Sequence, residues 1–177
     1  MKEGIPLEGF RKWKHKSKDA LNELMDSDIR EEHIEVILKS YEILTNSYET
    51  FVHGDMIPLN MIVTENGVSI IDWEYGHVGP YIQDIGRLLA DYNVDKPWVN
   101  SGWETDLLKL YYETLLEGDL DLTYDQMFLA YQCARLENYF DIVSSFKIRK
   151  WKRTEWYDLN FREMMNSIKV ISQLLKA

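Results

Sequence analysis

Apolar and polar positions along this chain follow two periods, one helical and one of short alternating runs. Ile34, Ile37, Leu38, Tyr41 and Leu44, followed by Tyr48, recur at three- and four-residue steps. That spacing marks the inward stripe of a helix. Asp28-Ile29-Arg30-Glu31 has the form of a capping box, so a helix is expected from there to about Ser47. Next come two short strand-like runs, 60–64 and 68–71, on either side of Asn66-Gly67. Asn-Gly between apolar runs is a strong hairpin signal. Helical spacing then returns over about 81–92, and Pro97, Asn100 and Ser101 fall in an expected loop over 93–101. Further helices are expected from about Gly102 to Leu116, closed by Gly118, and from a capping box at Thr123-Tyr124-Asp125-Gln126 to about Phe140. A last helix is expected from about Thr154 to Leu175, with Phe161, Met164, Met165, Ile168, Ile171, Leu174 and Leu175 inward. Before all of these, Phe10, Trp13, Leu21, Leu24 and Met25 supply helix contacts within 1–27. The pattern predicts one mainly α domain with a small β-hairpin (α+β) over 1–177. It comprises a helical lead-in (1–50), a loop-and-hairpin segment (51–90) and a helical subdomain (91–177).

Composition narrows this picture. The chain has 177 residues, 45% hydrophobic and 28% charged, which suits a folded domain with a sizeable core and not a disordered segment. Its formal net charge of −10 disfavours nonspecific nucleic-acid binding and is compatible with a cationic substrate. Plain solubility is the commoner cause of such a charge. Of two basic clusters, the later being Lys147, Arg149, Lys150, Lys152 and Arg153, the first, Arg11, Lys12, Lys14, His15, Lys16 and Lys18, reads as a solvated face rather than a phosphate- or nucleic-acid-binding one. So does the acidic group Glu113, Glu117, Asp119 and Asp121. The single Cys133 has no internal partner, and Met1-Lys2-Glu3-Gly4 does not begin a signal peptide. A reducing cytoplasm is expected. No apolar run approaches the roughly 18 residues of a membrane span.

Candidate chemistry is concentrated between Phe51 and Asp84. Asp55 follows His53-Gly54, Asn60 comes five positions later, and Asp72 closes the run Val68, Ile70, Ile71. An antiparallel hairpin would bring Asn60 and Asp72 side by side at its open end, with Asp55 on the loop just before. An amide oxygen and a carboxylate there suit Mg²⁺, which takes few protein ligands and leaves its other positions to water and phosphate. A second carboxylate, not tied to the metal, can orient and deprotonate a hydroxyl. Such a set forms the catalytic half of a phosphoryl-transfer site. The bland reading of the same three residues is turn chemistry, which Asp and Asn favour anyway. A metal-dependent hydrolase using His53, Asp55, Asp72 and His77 is a further reading, but the set lacks a usual transition-metal spacing.

The spacing Asp-x-x-x-x-Asn, then a hairpin and a second Asp, is similar to the protein-kinase catalytic loop and metal-binding Asp. The forms His53-Gly54-Asp55 and Ile71-Asp72-Trp73-Glu74-Tyr75, continued by Gly79-Pro80-Tyr81-Ile82-Gln83-Asp84-Ile85-Gly86-Arg87, resemble the aminoglycoside phosphotransferase and choline kinase family. That resemblance implies a kinase-like C-terminal lobe, with the N-terminal lobe absent from this chain. It implies Asp55 as catalytic base, Asn60 and Asp72 as the residues holding Mg²⁺ against ATP (or GTP) phosphates, and His53 and Asp84 as supports of the loop. Trp73, Glu74 and Tyr75 are candidates for the substrate side, where aromatic faces attract quaternary ammonium; core packing is the blander role for Trp73. The implied activity is phosphorylation of a small-molecule hydroxyl, incomplete in an isolated chain; the alternative is a kinase-like binding module without catalysis. Where the resembled family carries a second His or a Gly, this loop reads Met56-Ile57-Pro58-Leu59. Partners expected are the hydroxyl substrate and either a separate N-lobe chain or a second copy meeting the apolar surface that the missing lobe would cover.

Overall fold

The computed structural model describes residues 29–95 and 102–176. The basic cluster of 11–18, Asp28 and the latter part of the expected loop, 96–101, lie outside the described residues.

Five helices and two separate strand pairs make up the described fold. Helix α1 spans Glu31–Thr45. Its N-cap is Arg30, not Asp28, and His33 Nδ1 accepts the Arg30 N–H at 3.1 Å. Ile37, Ser40 and Leu44 are buried, with Ile34 and Tyr41 packed beside them. Leu38, expected inward, is 52% exposed because it lies one residue, about 100°, round the helix from Ile37. Strand β1 (Glu49–Val52) pairs antiparallel with β4 (His77–Pro80), Val52 opposite His77. This pair was not expected from the sequence. β1 is four residues long and buries only Val52, so it shows no alternation.

The expected hairpin is β2 (Met61–Thr64) and β3 (Gly67–Ile70), with Thr64 opposite Gly67 and Met61 opposite Ile70. Its central turn residues are Glu65-Asn66 rather than Asn66-Gly67. Gly67, at φ 136°, is the positive-φ residue there and opens the return strand.

Helix α2 spans Gln83–Asp95, α3 Trp103–Glu117, α4 Tyr124–Ile148 and α5 Glu155–Leu174. The Thr123/Gln126 capping box is present: Thr123 N–H donates to Gln126 Oε1 at 2.9 Å and Gln126 N–H to Thr123 Oγ1 at 3.2 Å. Helix α4 runs on past Phe140 because Val143 and Phe146 still find core to bury in. It is the spine of the molecule, packed against α5, α1 and α2. Tyr131, Cys133, Leu136 and Tyr139 put buried side chains on several of its sides, the pattern of an enclosed helix. Arg135 lies between the Tyr131 and Tyr139 rings and reaches Glu104 on α3 at 3.3 Å and Glu163 on α5 at 3.8 Å. On α5, Met164, Ile168 and Ile171 are buried and Phe161 and Met165 pack against the core, whereas Leu175, past the helix end, is 41% exposed.

One close approach fixes where α2 sits. A Cβ on Gly86 would lie 2.5 Å from the Ala134 Cβ, so α2 crosses α4 at a distance only glycine allows. Gly86 lies between Asp84 and Arg87, so that crossing places the turn of α2 that carries both.

Candidate active site

The loop begins where β1 ends. His53, fully buried, uses its whole polar inventory locally. Its Nδ1 faces the Asp55 N–H at 3.3 Å and its Nε2 lies 2.8 Å from the Ile71 carbonyl. Since an amide N–H only donates, Nδ1 accepts and Nε2 carries the proton that goes to Ile71. The ring thereby joins the loop to the far strand of the hairpin. Asp84, in the first turn of α2, accepts the backbone N–H of His53 at 2.7 Å and of Gly54 at 3.0 Å. Between them Gly54 adopts φ 80°, and a Cβ there would meet the Tyr75 carbonyl at 2.4 Å. Glycine is required on both counts.

This frame presents Asp55. Its Oδ1 lies 3.3 Å from Arg87 Nη2, and both side chains are partly buried. Arg87 is held in turn by Asn138 Oδ1 on α4. Asn60 closes the short 3₁₀ turn Pro58–Asn60 and is buried. Its amide nitrogen donates to the Asp55 carbonyl at 2.9 Å and to Asp55 Oδ2 at 3.3 Å. The nitrogen is therefore spent on the loop, and the oxygen is the atom left for a cation.

Asp72 is placed differently from the expectation. The Asn60 carbonyl accepts the Ile71 N–H at 3.0 Å, so Ile71 stands opposite Asn60 and Asp72 is one residue beyond. Asp72 is exposed and left-handed, at φ 64° and ψ 59°. A non-glycine residue held there costs about 1 kcal/mol, and such outliers gather at functional sites.

Trp73 stacks on Phe51, with ring centroids 5.8 Å apart, and meets the His53 ring edge-on at 4.7 Å; its Nε1 donates to the Ile70 carbonyl at 3.0 Å. It braces the loop while leaving 47% of its surface exposed. Glu74 and Tyr75 are exposed. The Tyr75 hydroxyl is raised in pKa by its hydrogen bond to Glu74, with Asp55 and Asp72 adding to the effect. Tyr75 thus lies in the field of both carboxylates. Glu113, Glu117, Asp119 and Asp121 sit exposed around the end of α3.

The donor set fits a hard cation. An Asn oxygen and one carboxylate match an ion that keeps waters and takes phosphate oxygens. It does not fit a transition-metal hydrolase. Among the described residues no group of three or more His, Cys, Asp or Glu could hold a metal. His53 has both nitrogens engaged, and His77 Nδ1 lies 2.8 Å from the Tyr75 carbonyl.

Sequence reasoning gave Arg87 and Asn138 no role. Arg87 stands three residues after Asp84, on the same face of α2, and that spacing was the available signal. Asn138 carries none, being 51 residues from Arg87 in the chain.

Known proteins resemble this chain in sequence and in fold. The chain is 34% identical over 64 residues to a protein named as a LicA homolog from Mycoplasma capricolum subsp. capricolum, which covers 36% of this chain and 25% of that protein. A choline/ethanolamine kinase family protein from Mesorhizobium loti superposes with a TM-score of 0.64 at 13% identity, over 98% of this chain and 58% of that one. A choline kinase from Cryptosporidium parvum Iowa II gives 0.56 at 14% identity, again over 98% and 58%. The chain therefore spans a quarter of its curated relative and under two thirds of these solved structures. At such identities the structural likeness is one of fold. The phosphotransferase enzyme family model matches residues 3–128, taking in the His53–Asn60 loop, the hairpin, Asp72 and Asp84, and to that family this chain belongs.

Proposed function

We propose that this chain carries the catalytic lobe of a phosphotransferase that moves a phosphoryl group from Mg²⁺–ATP to a hydroxyl of a small molecule. The observation that supports this best is the state of Asp55. Its carboxylate is held by Arg87 and Asn60 on a loop whose backbone is tied to Asp84 and His53. In this reading Asp55 orients the acceptor hydroxyl and takes its proton as the oxygen attacks. Asn60 Oδ1 and the Asp72 carboxylate hold Mg²⁺, which when bound neutralises phosphate charge. His53, Gly54 and Asp84 keep the loop from shifting, since misplacement of about 1 Å costs on the order of 10²-fold in rate. The choline/ethanolamine kinase family protein and the choline kinase among the structural neighbours make choline and ethanolamine the first acceptors to try. Trp73 and Tyr75, with exposed aromatic surface close to the carboxylates, would suit a cationic one. ATP is the first donor to try and GTP the second. The exposed Leu59, in the turn before the hairpin, and Val63 and Val68 on it are where a nucleotide-binding lobe or a second copy would pack. A single buried Cys133 suits a cytoplasmic setting. Among the described residues no helix is long and apolar enough to cross a membrane.

The test is phosphoryl transfer by the full chain with Mg²⁺–ATP and a panel of amino alcohols and aminoglycosides, with calorimetry of nucleotide binding. Asp55→Ala is expected to lower transfer by about 10²–10⁴-fold with nucleotide binding retained. Asp72→Ala is expected to remove Mg²⁺-dependent binding as well. Undiminished transfer in Asp55→Ala would overturn the reading. Nucleotide binding with no transfer to any acceptor would favour a binding module of the same fold.

A further inference from the structure

Arg87 raises a question that the proposed reaction leaves open: why Asp55 remains a base when a divalent cation arrives beside it. Asn60 touches Asp55 Oδ2 at 3.3 Å through its amide nitrogen and is also a residue proposed to hold the cation. A carboxylate that close to a divalent ion is drawn into its coordination shell. Once coordinated it is a poor proton acceptor. The loop His53–Asn60 contains no Lys or Arg to compete. The competing charge comes from α2 instead: Arg87 Nη2 lies 3.3 Å from Asp55 Oδ1. Arg87 is itself restrained. Its other terminal nitrogen donates to Asn138 Oδ1, one turn on from Ala134, against which Gly86 is packed too closely to shift.

Resting on the Mg²⁺ site proposed above, we propose that Arg87 is a positioning residue that holds Asp55 out of the metal's coordination shell and so reserves it for the substrate hydroxyl. Asn138 anchors the guanidinium, so Arg87 cannot follow Asp55 toward the cation. The role predicts an unusual sign: removing Arg87 improves metal binding while harming transfer. A merely structural arginine would weaken both.

The experiment is Mn²⁺ binding to the full chain, read by electron paramagnetic resonance of free Mn²⁺, for wild type, Arg87→Met, Asp55→Asn and the double variant. Arg87→Gln, which keeps a hydrogen bond available for Asn138, is the second variant, and circular dichroism checks that each is folded. In Arg87→Met or Arg87→Gln, Mn²⁺ is expected to bind about three- to tenfold more tightly, as one added carboxylate ligand would cause. In the Asp55→Asn background that gain is expected to vanish. A gain of equal size with Asp55→Asn would assign the effect to through-space charge and overturn the proposal. Unchanged or weaker binding in both folded Arg87 variants would also overturn it. If wild type binds Mn²⁺ in an Asp72-dependent way and only the gain is missing, the metal site stands and the Arg87 role falls. If neither wild type nor variant binds Mn²⁺, both fall.

Discussion

Asp72 shows at the scale of one residue how chemistry and backbone are set against each other. Its left-handed conformation is one that glycine adopts at little cost. Asp72→Gly is therefore expected to stabilise the fold by roughly 0.5–1 kcal/mol while abolishing Mg²⁺-dependent nucleotide binding. Thermal melting and calorimetry on the same sample check both halves. A melting temperature that falls would mean that the side chain, not the backbone, governs stability there. The residue types of the candidate site were legible because each sits in a short, ordered stretch. Asp55, Asn60 and Asp72 are separated by a turn and two strands whose lengths the pattern reveals. The left-handed Asp72 was not legible, because it follows from a register in which Ile71, not Asp72, faces Asn60. Arg87 and Asn138 meet only through the packing of α2 on α4, and no local pattern encodes that.

At the scale of elements, α1 and α5 were readable from periodicity, since each has one wet face, and α3 from the Gly118 that closes it, whereas the cap read at Asp28 for α1 falls to Arg30. Helix α4 was read too short because an enclosed helix has no wet face to give a period. Enclosure has an electrostatic price on α4. Burial, with Asp141 one turn on adding to it, pushes the Glu137 carboxyl up to about 8 from an ordinary 4.5. Folding thus favours the protonated form. In the unfolded chain Glu137 ionises near 4.5, so this group costs nothing below that pH. Its penalty grows between 4.5 and 8 and is complete above 8. The urea midpoint of wild type is expected to fall between pH 6 and pH 9. In Glu137→Gln that part of the fall should be missing. Parallel pH curves for the two proteins would contradict the assignment. Strands β1 and β4 escaped the pattern for a plainer reason. Two four-residue strands, one burying a single side chain, carry too few positions to show a period of two.

For the whole molecule, the mainly helical architecture with a hairpin was visible from the sequence, and the described fold adds the β1–β4 pair that aims the loop. The two halves of the candidate site are built to different standards of rigidity. The half with Asp55 and Asn60 is sewn to α2 and α4 by Asp84 and Arg87. The half with Asp72 hangs beyond a hairpin whose residues from Ile62 to Ser69 are all exposed. Local opening follows such differences in burial. In hydrogen–deuterium exchange the His53 and Gly54 amides, both bonded to Asp84, are expected to be protected far longer than those of β2 and β3. Comparable protection in the two sets would show the hairpin to be as well anchored as the loop. The uneven build has a consequence for any ion bridging Asn60 and Asp72. Part of its binding free energy is spent quieting the hairpin, so its apparent affinity measures order as well as coordination. Whatever else rests on the hairpin's apolar face would do some of that quieting in advance and would sharpen the ion's grip without touching it.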